Sequence, residues 1–148
     1  MREQTAVGDL NSQDQGTGAR KNEGKDPLEL VPIRIWSNTW HQSYDVPTKI
    51  EDLLIYLVNW QEQGPAGTQI KDMLALFAEE DIEEASRVFE FGAKKYSEWN
   101  WAKGMPWGVP TGCILRHIRA VLRGEDIDQD SGLAHIGHVV CNLIMLEW

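Results

Sequence analysis

Residues 116 to 142, a stretch of 27, hold three of the four histidines and four carboxylates of the chain. In order they are Arg116-His117, then Glu125, Asp126, Asp128 and Asp130, then His135, His138 and Asn142. On a helix, His135, His138 and Asn142 fall at i, i+3 and i+7 and make one polar stripe. The positions between them (Leu133, Ile136, Val139, Val140, Leu143, Ile144, Leu146) are those of a core helix. A greasy helix with one wet seam implies a polar site built between helices, and this seam is the reason to read the chain as an enzyme. The imidazoles can ligate a metal, or donate hydrogen bonds and move protons around a phosphate; their spacing allows either. They do not form the H-E-x-x-H zinc signature, and no thiolate set accompanies them. The acidic loop has a D-x-D-x-D look, but it lacks the downstream glycine and glutamate of a calcium loop. Its carboxylates either cap the following helix or bind a hard divalent cation beside the histidines.

Further groups surround this seam. Glu80, Glu83 and Glu84 share a helix face at i, i+3, i+4, which can bind Mg²⁺ or Mn²⁺ across a bundle or can simply be a solvated face. Lys94, Lys95 and Tyr96 adjoin a loop with Trp99, Asn100, Trp101 and Trp107; its indoles either cover the core or stack on a nucleobase. Arg116, Arg119 and Arg123 form a basic stripe that salt bridges to the acidic loop would explain, with Arg116 placed in the site. Arg20 and Lys25, near the N-terminus, sit among glycines in a segment that is either a solvated tail or one that folds over an anionic ligand, with Arg20 or Lys25 on phosphate.

The elements that must position these residues read as all-α. Residues 1–26 are polar and form a flexible arm, and 27–148 form a single helical domain. From Ile33 to about Trp40 a short helix and an extended segment are both compatible with the pattern. Thr48 is the expected N-cap of a helix through Trp60, with Glu51 completing a capping box. A long helical pattern runs from Thr68 or Gln69 to Tyr96, with a break expected near Glu79-Glu80-Asp81 and Ile82, Ala85, Val88, Phe89 and Gly92 inward. Ser97 to Pro110 reads as loop. Thr111 caps a helix to Arg123, stopped by Gly124, and Ser131 caps a last helix to Trp148. The expectation is a compact bundle of four to five helices.

Composition narrows the class. A chain of 148 residues with 42% apolar side chains and seven tryptophans can bury a core. A net charge of −9 excludes a general nucleic-acid surface. An acidic protein can still take a phosphorylated small molecule if divalent cations lie between the charges. Cys113 and Cys141 read as buried free thiols of a reducing compartment. Without an apolar run of about 18 residues, no membrane partner is expected and the expected location is cytoplasmic.

Taken together, several runs resemble a known family. They are Glu84-Ala85-Ser86-Arg87-Val88-Phe89-Glu90-Phe91-Gly92-Ala93-Lys94-Lys95-Tyr96 with Asn100-Trp101-Ala102-Lys103-Gly104, then Arg116-His117, Gly124-Glu125-Asp126 with Asp128, and Ser131-Gly132-Leu133 with His135 and His138. Gly18-Ala19-Arg20, Gly24-Lys25 and Val31-Pro32 belong to the same pattern. It is similar to that of phage dATP/dGTP diphosphohydrolases, themselves similar to MazG-type all-α nucleotide pyrophosphohydrolases. Residues 33–79 look like an insertion relative to shorter members. The resemblance implies hydrolysis of a purine deoxynucleoside triphosphate to monophosphate and pyrophosphate, Mg²⁺ or Mn²⁺ as cofactor, and a homo-oligomer. MazG-type enzymes bind metal through E-x-x-E and E-x-x-D helices, whereas His135-x-x-His138 stands here where an E-x-x-D is expected. The implied assignment takes Glu84, Asp128 and Asp130 as metal ligands with His117, His135 and His138 as catalytic groups. Arg116 lies beside the phosphates, Lys95, Asn100 and Trp101 contact phosphate or base, and Arg20 and Lys25 reach phosphate from the arm. Two rivals stand: a non-catalytic phage protein that sequesters nucleotide or inhibits a host protein, and a phosphohydrolase releasing phosphate or triphosphate.

Overall fold

Helix α6 (His135–Glu147) is apolar on nearly every side, and a helix of that kind must be surrounded. The computed structural model describes residues 24–39, 45–64 and 70–148, which contain five further helices and no β-strand. They are α1 (Ile33–Thr39), α2 (Thr48–Gln63), α3 (Ile70–Leu74), α4 (Glu79–Lys95) and α5 (Gly108–Leu122). Helices α4 and α5 pack most extensively on α6, and α3 meets it more briefly. The expected all-α bundle is what forms, and no helix among the described residues is long and apolar enough to cross a membrane. The expected arm at 1–26 lies almost entirely outside the described residues.

Two apolar clusters flank α6. The larger joins Val139, Leu143 and Leu146 to Ile114, Leu115, Ile118 and Leu122 of α5 and to Ile50, Leu53, Leu57, Ile70 and Met73. Each such side chain contributes about 1.5–3 kcal/mol by leaving water. Residues between 33 and 79, for which the sequence offers no role, thus supply one whole wall of the main core. Gln61 ties that wall together: its Oε1 accepts from Ile33 N at 2.8 Å and its Nε2 donates to Val31 O at 2.8 Å. The smaller cluster puts Val140, Cys141 and Met145 against Ala85, Val88, Met105 and Val109. Both cysteines are free and buried, as expected.

Several expected boundaries move. Thr48 is already the first residue of α2, with Pro47 at the N-cap position and no side-chain cap. The helical pattern from 70 to 95 breaks at Ala75–Ala78, ahead of the acidic run. Asp81 is neither connector nor solvated face: it is buried, accepts from Ala78 N at 2.9 Å and pairs with Lys49 Nζ at 2.8 Å. Ile82, expected inward, is 44% exposed. The Ser97–Pro110 stretch is not all loop, since a 3-10 turn spans Asn100–Lys103 and α5 begins at Gly108. Thr111 is therefore inside α5, its Oγ1 donating to Trp107 O at 2.7 Å. Gly124, at φ 86°, ends α5 in the left-handed form as expected.

Candidate active site

Helix α6 starts at His135, three residues later than expected, because the acidic loop folds into a turn of its own. Ile127 and Ala134 form an isolated antiparallel bridge, and Asp128 N donates to Leu133 O at 2.8 Å. His135 N in turn donates to Asp126 O at 2.9 Å. This closed turn places Asp128 over the first turn of α6 and frees Ser131 from capping. Ser131 N and Oγ both approach Asp128 Oδ2, at 3.0 and 2.7 Å, and Ser131 Oγ lies 2.8 Å from His138 Nε2.

Proton bookkeeping orders that chain. Burial raises the Asp128 pKa, but hydrogen bonds from Ser131 and the nearby imidazoles outweigh it and hold the carboxyl below its ordinary value. An ionised Asp128 only accepts, so the Ser131 hydroxyl donates to it and His138 Nε2–H donates to Ser131. His138 is then a prop for Asp128 through Ser131. His138 and Asn142 are buried, and Asn142 Nδ2 donates to His138 O at 2.7 Å, so the predicted stripe is real.

His117 enters from α5. Its ring stacks on His138 with centroids 4.2 Å apart and planes 10° apart, and its Nδ1 lies 2.8 Å from His135 Nδ1. Burial pulls the His135 pKa below its ordinary value against the pull of Asp128, Glu125 and Asp126, so His135 is neutral near pH 7. One ligand atom each from His117, Asp128 and His135 falls within 4.8 Å of the others, a spacing that fits one shared cation.

Beside this cluster opens a cavity of about 1050 Å³. His117, His138, Asp128 and Asp130 line it with the cationic Lys25, Lys95 and Arg116. Asn100, Trp99, Trp101 and Trp148 line it too. The indoles interlock: Trp99 to Trp101 is 5.4 Å between centroids, Trp101 to Trp148 is 5.6 Å and Trp99 to Trp148 is 6.0 Å. Phe89 backs Trp101 at 5.4 Å. Trp99 itself holds φ 58°, a left-handed backbone that costs a non-glycine residue about 1–2 kcal/mol.

Most residues singled out from sequence thus converge. Lys25, Lys95, Asn100, Trp101, Arg116, His117, Asp128, Asp130 and His138 line one cavity, with His135 behind His117. Glu84 does not join them. Its carboxylate pairs with Arg87 at 2.8 Å, and what Glu84 brings to the site is backbone, since a Cβ on Gly137 would lie 2.9 Å from its carbonyl. That glycine, between the two histidines of α6, lets α4 approach closely. Arg20 lies outside the described residues. Two of the three stripe arginines turn to the N-terminal segment: Arg119 pairs with Asp26 at 3.0 Å and Arg116 donates to Asp26 O at 3.0 Å. Sequence reading missed Ser131 as part of the network and missed Trp148 as a cavity wall. For Ser131 the clue was present, two residues from Leu133 and seven from His138. For Trp148, 49 residues from Trp99, no local signal exists.

Comparison with known proteins places this geometry. The sequence profile of the family described as "dATP/dGTP diphosphohydrolase, N-terminal" matches residues 61–148, more than half of the chain, and the chain belongs to that family. The matched span holds every cavity residue named above except Lys25. The chain is similar to the dATP/dGTP diphosphohydrolase of Salmonella phage PMBT28, 30% identical over 80 residues. That alignment covers 54% of this chain and 27% of the relative, so the chain spans about a quarter of the relative's length. No solved structure matches it.

Proposed function

We propose that this member of the dATP/dGTP diphosphohydrolase family hydrolyses purine deoxynucleoside triphosphates to the monophosphate and pyrophosphate. One observation carries the reading: a single cavity of about 1050 Å³ is lined by a carboxylate–imidazole cluster, by three cations and by an indole wall. Those are the three chemistries a nucleoside triphosphate needs at its reacting phosphate, its remaining phosphates and its base. In the reaction, water oxygen bonds to the α-phosphorus, the α–β bridging bond breaks, and pyrophosphate leaves with the electron pair.

Each group has a part. Lys95, Arg116 and Lys25 hold the departing pyrophosphate, their charge matched to what develops there. The water's proton passes to the carboxylate–imidazole cluster. Asn100, Trp101, Trp99 and Trp148 receive the base by stacking and hydrogen bonding. A divalent cation, Mg²⁺ or Mn²⁺, belongs to the same reading, with Asp130 as its anchor on the cavity wall and Asp128 beside it; it would neutralise phosphate charge and activate water. Assembly as a homo-oligomer is also part of the proposal, supported by Leu30, Ile35 and Ile55, which α1, α2 and their approach leave exposed. Light scattering on the purified chain checks that part.

Product analysis tests the activity. The chain is incubated with each of the four deoxynucleoside triphosphates, with Mg²⁺ or Mn²⁺ and then with EDTA. Metal-dependent monophosphate plus pyrophosphate, fastest with dATP or dGTP, is the expected result. Release of phosphate or triphosphate would make it a different phosphohydrolase. No turnover with the helical fold intact by circular dichroism would leave a nucleotide-binding or host-directed protein.

A further inference from the structure

We infer that His117, His135 and Asp128 form a site for one divalent transition ion that favours nitrogen ligands, such as Zn²⁺ or Co²⁺, and that Mg²⁺ does not compete for it. The inference deepens the pyrophosphohydrolase reading and rests on it for the ion's use, though not for where the ion binds.

The donor set is the first argument. Two imidazoles and one carboxylate suit borderline transition ions, whereas Mg²⁺ takes oxygen ligands and keeps its waters. Spacing is the second. Metal–nitrogen bonds are about 2.0–2.1 Å, so two nitrogens on one ion sit about 3.3 Å apart at the tetrahedral angle and about 2.9 Å apart at right angles. The two Nδ1 atoms lie 2.8 Å apart, close to the second figure. A ring pair can also reach this distance by sharing one Nδ1–H, which forces the two rings into different tautomers. The two states are therefore spectroscopically distinct.

Support from outside the ligand set supplies the third argument. Asp128 is fixed from behind by Ser131, and Ser131 by His138, which is the arrangement of outer groups that orients a metal ligand. His138 is thus a positioning residue. Its Nε2 is committed to Ser131, and the ligand atoms that fall within 4.8 Å of one another come from His117, Asp128 and His135.

The test reads the rings directly. The EDTA-stripped full chain, labelled with ¹⁵N-histidine, is titrated with Zn²⁺ and followed by long-range ¹H–¹⁵N NMR, beside calorimetry in millimolar Mg²⁺. The expected result is one Zn²⁺ per chain, undisplaced by Mg²⁺, with Nδ1 of both His117 and His135 shifting to metal-bound values and both rings protonated on Nε2. H138Q is expected to weaken Zn²⁺ binding about 10- to 100-fold while keeping both Nδ1 signals. H135Q is expected to abolish them. Nδ1 signals that Zn²⁺ leaves unmoved, or Zn²⁺ displaced by Mg²⁺, would overturn the site even if nucleotide is still hydrolysed with Mg²⁺ alone. Zn²⁺ seated on both Nδ1 atoms without turnover of any nucleotide would keep the site and sink the hydrolase reading.

Discussion

On the side of α6 that meets α5 and α3, Val139, Leu143 and Leu146 are buried among leucines and isoleucines with hardly a polar atom between them. A quarter-turn away the same helix carries His135 and His138, and α5 answers with His117 and Arg116 around a cavity. Two helices therefore present a closed seam and an open one. The closed seam tolerates rearrangement among apolar groups of similar volume, since dispersion and burial are non-directional. The open seam depends on hydrogen bonds whose donors and acceptors are fixed, so one substitution disorders several partners. The closed seam holds the stability, and the open one stands on it.

Substitutions on either side should separate the two. Leu143→Ala, in the closed seam, is expected to cost about 2–5 kcal/mol of folding stability. Denaturant titration measures the loss, while activity per folded molecule stays near that of the parent. Asp128→Asn is expected to do the reverse: a loss of about 10²–10³ in kcat/KM with the melting temperature little changed, judged by steady-state kinetics beside a thermal scan. Gly137→Ala stands between the seams. Its Cβ would press on the Glu84 carbonyl, so a loss of about 1–3 kcal/mol together with a fall in kcat is expected. A Gly137 variant that loses stability but keeps kcat would show that the α4–α6 spacing does not govern the open seam.

Smaller effects sharpen the picture. Trp99→Gly removes one indole and relaxes a left-handed backbone, so KM should rise about fivefold to a hundredfold while the melting temperature holds. An equal rise for a triphosphate lacking its base would argue against stacking. Arg34→Ala breaks an exposed ion pair with Glu62 far from both seams, and no measurable change in melting temperature or turnover is expected.

Legibility in the sequence followed the same division. The α5–turn–α6 unit could be read because its period, its Gly124 stop and its polar stripe are local signals carried by neighbouring residues. Helix caps were misplaced at Thr48, Thr111 and Ser131 because a hydroxyl before an apolar run has more than one use. Pro47 took the first cap position, Thr111 bonded back to Trp107, and Ser131 was claimed by Asp128 and His138. Asp81 looked like surface since three acids in a row usually are; only the fold brings Lys49 to it. Glu84 was singled out for its carboxylate, and the fold uses its backbone. The indole wall was legible only as the Trp99–Trp101 loop, because Trp148 joins it only when the helices have packed.

That wall has an optical consequence. Three indoles with centroids within 6.0 Å of one another share excitation, so their strong far-ultraviolet transitions split into paired bands of opposite sign. The mouth of the cavity carries a built-in chromophore whose circular dichroism and emission depend on ring angles. A purine sliding against Trp99 would change those angles or accept the excitation. Occupancy of the cavity can therefore be followed by light alone, with no label and no turnover.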